Sequence, residues 1–157
     1  MSPPMLPVLQ DIAAYLDELR QALVAEYEAL SAEDSERLAN LAEVKQRLSD
    51  ILGDLDRERS ALLREAGLDL DRTGVLAYLD RQAQSEREPL NVLWQRIETL
   101  TRDCRRLNAI NGIVIEKRRR RAAQALHILQ GQTAGSELYT AHGTAPGTGP
   151  GNTLAKA

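Results

Sequence analysis

The chain has 157 residues, with 20 Lys or Arg against 23 Asp or Glu and a formal net charge of −3. That length suits one domain with a real core, and the slightly acidic balance gives no overall attraction to nucleic acid or an anionic membrane. Leu, Ile, Val and Ala supply the apolar content beside no Phe, one Trp and four Tyr, which fits a leucine-rich helical bundle better than a sheet protein.

The opening residues, Met1 to Pro7, show no basic region followed by an apolar one, so no signal peptide is expected. No apolar run approaches the ~20 residues of a membrane span. Cys104 is the sole cysteine, which rules out an internal disulfide and makes a reducing cytoplasm the simple expectation.

Pro3, Pro4 and Pro7 hold the first residues extended, and a helix is expected over about 7–31. Leu9, Leu16, Leu23 and Leu30 recur every seven residues with Ile12 and Leu19 between them, the seam of a helix packed against a partner helix. Tyr15 and Tyr27 flank it. Ser31, Asp34 and Ser35 supply caps and acidity for a second helix over about 34–66. Leu38, Leu41, Leu48, Leu52, Leu55 and Leu62 continue the seam. Lys45 and Arg59 occupy seam positions where Leu is expected, and there they either snorkel to water or fix register as polar seam residues. Ala66 and Gly67 close this helix. The short link makes 7–66 an antiparallel hairpin.

Residues 68–74 read as a connector and 75–83 as a short helix or pair of turns. Ser85 to Glu88 forms a capping box with Pro89 just after it. A very long helix follows over about 86–130, roughly 70 Å at 1.5 Å per residue. Its stripe is Leu90, Leu93, Ile97, Leu100, Cys104, Leu107, Ile110 and Val114, then Ala125 and Ile128. No helix of that length is stable alone in water, so the hairpin must lie along it.

Asn111-Gly112 is a strong hairpin signal. The flanks nevertheless keep the helical period, and no other stretch alternates to extend a ribbon. Asn108, Asn111 and Gly112 are therefore placed inside the helix, where Gly costs about 1 kcal/mol relative to Ala. A kink or close packing against a neighbouring helix accounts for them. Lys117 to Arg121 puts charge on every face for a full turn, so the helix leaves the bundle there or lies at its wet end. From 132 to 157 the composition turns to Gly, Thr, Ala and Pro, a flexible tail too poor in apolar residues for a core. Leu138 and Tyr139 interrupt it as a short apolar island. The fold expected is thus all-α: an antiparallel hairpin on one very long C-terminal helix, in a bundle over 1–131, with the tail after it.

Little here carries chemistry. Most carboxylates have Arg or Lys three or four places away, the pattern of solvated helix faces. The chain has no Glu-x-x-His for a di-metal bundle. His127 and His142 lack partners at ligand spacing, and neither a phosphate loop nor a nucleophile elbow occurs. The sequence implies no enzyme, no cofactor and no metal. Cys104 falls on the apolar stripe and reads as a buried thiol. The basic run at 117–121 is the one feature pointing to nucleic acid, but it lacks an aromatic stacking platform and sits in an acidic chain; a solvated turn is the plainer reading.

Leu41 to Lys45 and Arg59 on the second helix, a Gly-Leu connector, and Asn108, Asn111, Gly112 and Ile115 in an Asn-x-x-Asn-Gly-x-x-Ile pattern together resemble the FlgN family of flagellar export chaperones. The likeness covers nearly the whole chain. That family's tail carries a Tyr-Gly-x-x-Gly-like element, where this chain has Tyr139, Thr140 and Gly143, with Thr140 in place of a Gly. The resemblance implies a cytoplasmic, ATP-independent chaperone of type III export. Such a protein binds the C-terminal helices of the hook-associated proteins FlgK and FlgL, prevents premature assembly and aids delivery to the export apparatus, with its own C-terminal portion engaging the client.

On this reading Val114, Ile115, Leu126, Ile128 and Leu129 are exposed for an amphipathic client helix, with Leu138 and Tyr139 as tail anchors. Asn108, Asn111 and Gly112 join them as partner-binding candidates. A coiled-coil scaffold or homodimer is the alternative, because such seams pair as readily between chains as within one. No membrane insertion is expected.

Overall fold

The structure, a computed structural model, describes the backbone of residues 3–143 and the side chains of residues 3–131. Four helices account for it, in order α1 (Met5–Ala32), α2 (Ser35–Glu65), α3 (Arg72–Asp80) and α4 (Gln84–Gly143). The described residues contain no strand, and Asn111-Gly112 lies within α4. The chain divides into two units, Met1–Ile115 and Glu116–Ala157.

Within the first unit, α1 and α2 form the expected hairpin. The turn between them is set by Glu33, in the left-handed region at φ 55°, whose N–H reaches the Leu30 carbonyl while that of Asp34 reaches Ala29. The Asp34 side chain then caps α2 by accepting from the Arg37 N–H at 3.0 Å. At the other end of α2, Gly67 takes φ 68° and the Leu68 N–H returns to the Leu63 carbonyl at 2.9 Å, a glycine-terminated helix end.

Two contacts give the direction of α4. The Cys104 thiol lies 3.6 Å from the Leu16 carbonyl, and the Asn111 amide donates to the Leu23 carbonyl at 2.9 Å. Both pairs are 88 residues apart, so α4 runs parallel to α1 through the first unit. The heptad Leu90, Ile97, Cys104, Asn111 is the buried line of α4, and α2 lies antiparallel beside α1.

The core sits where all four helices meet. Met5, Leu9, Leu63, Val75, Leu79 and Leu90 are almost wholly enclosed there, each contributing about 1.5–3 kcal/mol of burial. Helix α3 covers this end with Val75, Tyr78 and Leu79. It begins at Arg72, three residues ahead of the expected 75. The cause is Asp71, whose carboxylate accepts from the Gly74 N–H at 3.1 Å and from the Thr73 hydroxyl, so half of the expected connector is already helix cap and first turn. Gly74 fits only as glycine, since a Cβ there would stand 1.7 Å from the Asp69 carbonyl oxygen.

Helix α4 departs from expectation at both ends. It starts at Gln84, with the Ala83 carbonyl accepting from Glu86 and Arg87, so Ser85 lies in the first turn and is not the cap. It also runs past 130 to Gly143, because the loss of apolar residues after Gly131 removes material for a core without forbidding a helix. Ala, Gln and Glu have good helix propensity, and the next proline is Pro146. The backbone at Leu138 and Tyr139 is therefore helical; their side chains, and the expected tail from 144 onward, lie outside the described residues.

Candidate functional site

The midsection of α4 carries the residue pattern singled out in the sequence, and the structure separates its members. Asn111 is 1% exposed. Its amide nitrogen donates to the Leu23 carbonyl and, at 2.8 Å, to Oε1 of Glu26. Glu26 is itself buried, and its other oxygen accepts from Lys45 Nζ at 2.7 Å. Three helices are thus tied by one chain of polar contacts, from α4 through α1 to α2. Buried polar groups hold their place only when they find such partners. Asn111, expected at a partner-binding surface, is instead enclosed, its amide nitrogen committed to α1 and its Oδ1 buried without a partner among the described residues.

Lys45 snorkels only partly, keeping 28% side-chain exposure while its ammonium meets Glu26. Arg59 bonds Asp56 and, through two nitrogens, the Leu70 carbonyl at 3.2 Å, fastening the link to α3. Both seam cations therefore have specific partners. Glu26 was missed in the sequence, although Ile12, Leu19 and Glu26 form a seven-residue series that places an acid opposite Lys45.

Asn108 and Gly112 are exposed. A Cβ at Gly112 would meet nothing within 4 Å, so the expected close packing there is absent, Gly112 facing open space on the outside of α4. Val114, expected to be exposed, is half-buried at the next seam position after Leu107. Ile115 is 47% exposed, and Ile110 and Ile113 beside it are also exposed. Cys104 is buried, and burial raises its thiol above the usual range, a poor setting for a nucleophile.

The second unit begins with Glu116, which accepts from Arg119 at 3.1 Å and from Arg120 at 3.0 Å. Those two guanidinium groups, Arg119 first, hold its carboxyl below the ordinary range. Leu126, Ile128 and Leu129 follow at 57%, 52% and 60% exposure. Large aliphatic side chains that open to water on one helix form the kind of surface a partner covers. Leu138 and Tyr139 are placed on the same helix by their backbone alone.

The described residues hold no group of three or more His, Cys, Asp or Glu suited to a metal ion, and no described helix is long and apolar enough to cross a membrane. A groove in the first unit is walled by Leu16, Leu52, Trp94 and Ile97 and edged by Arg105 and the ion-paired Asp56 and Arg59.

Comparison with known proteins locates this architecture. The FlgN protein family matches residues 4–147. The flagella synthesis protein FlgN of Proteus mirabilis is 29% identical over 140 residues, covering 89% of this chain and 84% of that one. A crystal structure of a flagella synthesis protein FlgN from Pseudomonas aeruginosa superposes with a TM-score of 0.67 at 29% identity, covering 73% of this chain and 88% of that one. The family match over residues 4–147, with the similarity to these two proteins, leads to one conclusion: the chain belongs to the FlgN family and has a flagellum-related role.

Proposed function

We propose that the chain is a cytoplasmic, ATP-independent chaperone of flagellar type III export that binds the C-terminal helices of FlgK and FlgL. It keeps them from assembling early and aids their delivery to the export apparatus. The observation that carries this reading is the run Leu126, Ile128 and Leu129, each more than half exposed on a helix in a chain of a flagellar family. An amphipathic client helix laid on the side that Leu126 and Leu129 share buries apolar surface on both partners, worth about 25 cal/mol per Å² before the entropy of association is subtracted. Neither a cofactor nor a nucleotide is needed for such capture. Asn108 and Ile115 remain candidates for client contact beside it, whereas Asn111, being enclosed, does not. Leu138 and Tyr139 serve as further anchors.

The test removes residues 132–157. Thermal stability is expected to stay nearly unchanged while capture of the FlgK and FlgL C-terminal segments is lost; capture that survives contradicts the anchoring role. Within the full chain, Tyr139→Ala is expected to weaken client affinity by about 1–2 kcal/mol in calorimetry. Exposed aliphatic residues also favour a second reading, a homodimer or coiled-coil scaffold. Sedimentation separates the two, because that reading requires mass to rise with concentration in the absence of client.

A further inference from the structure

The chaperone reading leaves the chemistry of the client segment open, and the charge distribution narrows it. Residues 1–115 contain fourteen basic and twenty-one acidic residues, whereas residues 116–131 contain five basic and one acidic. The lone acid, Glu116, is engaged by Arg119 and Arg120. Lys117 and Arg121 have no ion pair among the described residues, and both are exposed. Ala122, Ala125, Leu126 and Leu129 follow helical spacing down one side, and all are exposed. Lys117 and Arg121 precede Ala125 at four-residue steps, so these two cations border one side of the apolar line.

We propose that residues 116–131 recognise an acidic amphipathic helix of a protein partner. Its large apolar side chains sit over Ala122 and Ala125, and its flanking Asp or Glu side chains meet Lys117 and Arg121. This rests on the chaperone reading and deepens it by naming the character of the client segment.

The alanines argue for a helix as occupant. They form a shallow strip that lets a second backbone approach closely and leaves holes for its larger side chains, whereas insertion into lipid favours bulky Trp, Phe and Leu. The acidic balance of residues 1–115 disfavours nucleic acid. A second copy aligned in register brings two 117–121 runs together, and like charges repel.

Two labelled synthetic peptides of about three heptads test this against the full chain by fluorescence anisotropy. Both carry the same Leu and Ile ridge, one with Glu flanks and one with Gln. The Glu peptide is expected to bind at least about tenfold tighter at about 50 mM NaCl, the advantage shrinking at about 500 mM. Lys117→Glu with Arg121→Glu removes the preference, and Lys117→Gln with Arg121→Gln reduces it. Leu126→Ala with Leu129→Ala weakens both peptides. Circular dichroism establishes that each variant remains helical.

Equal affinity for the two peptides, no binding of either, or tighter binding of labelled single-stranded DNA overturns the proposal. So does self-association of the chain that Leu126→Ala reverses. The FlgK and FlgL C-terminal segments run in the same assay. If they bind regardless of charge reversal, the chaperone reading stands and the acidic-partner inference fails. If they do not bind while the Glu peptide does, the reverse holds.

Discussion

Glu26 joins two neighbours that the sequence presents as unrelated. Its carboxylate holds Asn111 with one oxygen and Lys45 with the other, so each substitution leaves a different orphan. Lys45→Met leaves a buried carboxylate without its cation. The loss should be about 2 kcal/mol in urea unfolding, below the 3–5 of a fully enclosed pair because Lys45 is partly in water. Asn111→Ala should lose about 1–3 kcal/mol through the unmade hydrogen bonds and the vacated space. Replacing Glu26, Lys45 and Asn111 together by Leu should recover much of either loss, as buried ionic groups contribute more to register than to stability. A triple variant less stable than both singles contradicts this.

Two glycines make opposite expectations at the same scale. Gly74→Ala drives a methyl group into the Asp69 backbone and should destabilise by at least about 2 kcal/mol. Gly112→Ala meets open space and should be neutral or stabilise by up to about 1 kcal/mol through better helix propensity. Thermal melts of the two variants distinguish them directly.

Among the elements, α3 shows what a cap does. The Thr73 hydroxyl, and after it the Gly74 N–H, stabilises the ionised Asp71 carboxyl and lowers its pKa. A carboxylate lowered in the fold contributes stability above its unfolded pKa of about 3.9; that contribution fades as pH falls through the depressed folded value. Wild-type protein should therefore exceed Asp71→Ala in melting temperature at neutral pH, with the gap narrowing below about pH 4. A gap independent of pH contradicts the assignment.

The elements were legible to different degrees. Repeated Leu at heptad spacing revealed α1, α2 and most of α4, because burial of a seam needs that period and little else supplies it. The start of α3 was hidden because Asp71, Thr73 and Gly74 look like loop residues until their hydrogen bonds are seen. The far end of α4 was misplaced because composition reports whether a segment can build a core, not whether its backbone is helical. Asn111 was readable as a heptad position, following Leu90, Ile97 and Cys104, but its enclosure depends on Glu26 and Lys45 from two other helices. Gly112 suggested close contact only because glycine in a helix usually needs a reason; this structure supplies no neighbour for it.

For the molecule as a whole, the two units divide the work. In residues 3–115 most of the apolar surface is spent on the protein's own core, Val92, Ile110, Ile113 and Ile115 being among the exceptions, with polar ties where three helices meet. In residues 116–131 Leu126, Ile128, Leu129, Lys117 and Arg121 stand exposed, the aliphatic ones assigned to a client by the proposed function and the two cations by the further inference. Amide hydrogen exchange with and without the FlgK C-terminal segment tests that division most directly. Protection should rise over about 122–131 on adding the segment and stay unchanged across α1 and α2. No change in 122–131, or new protection confined to residues 3–115, contradicts the account.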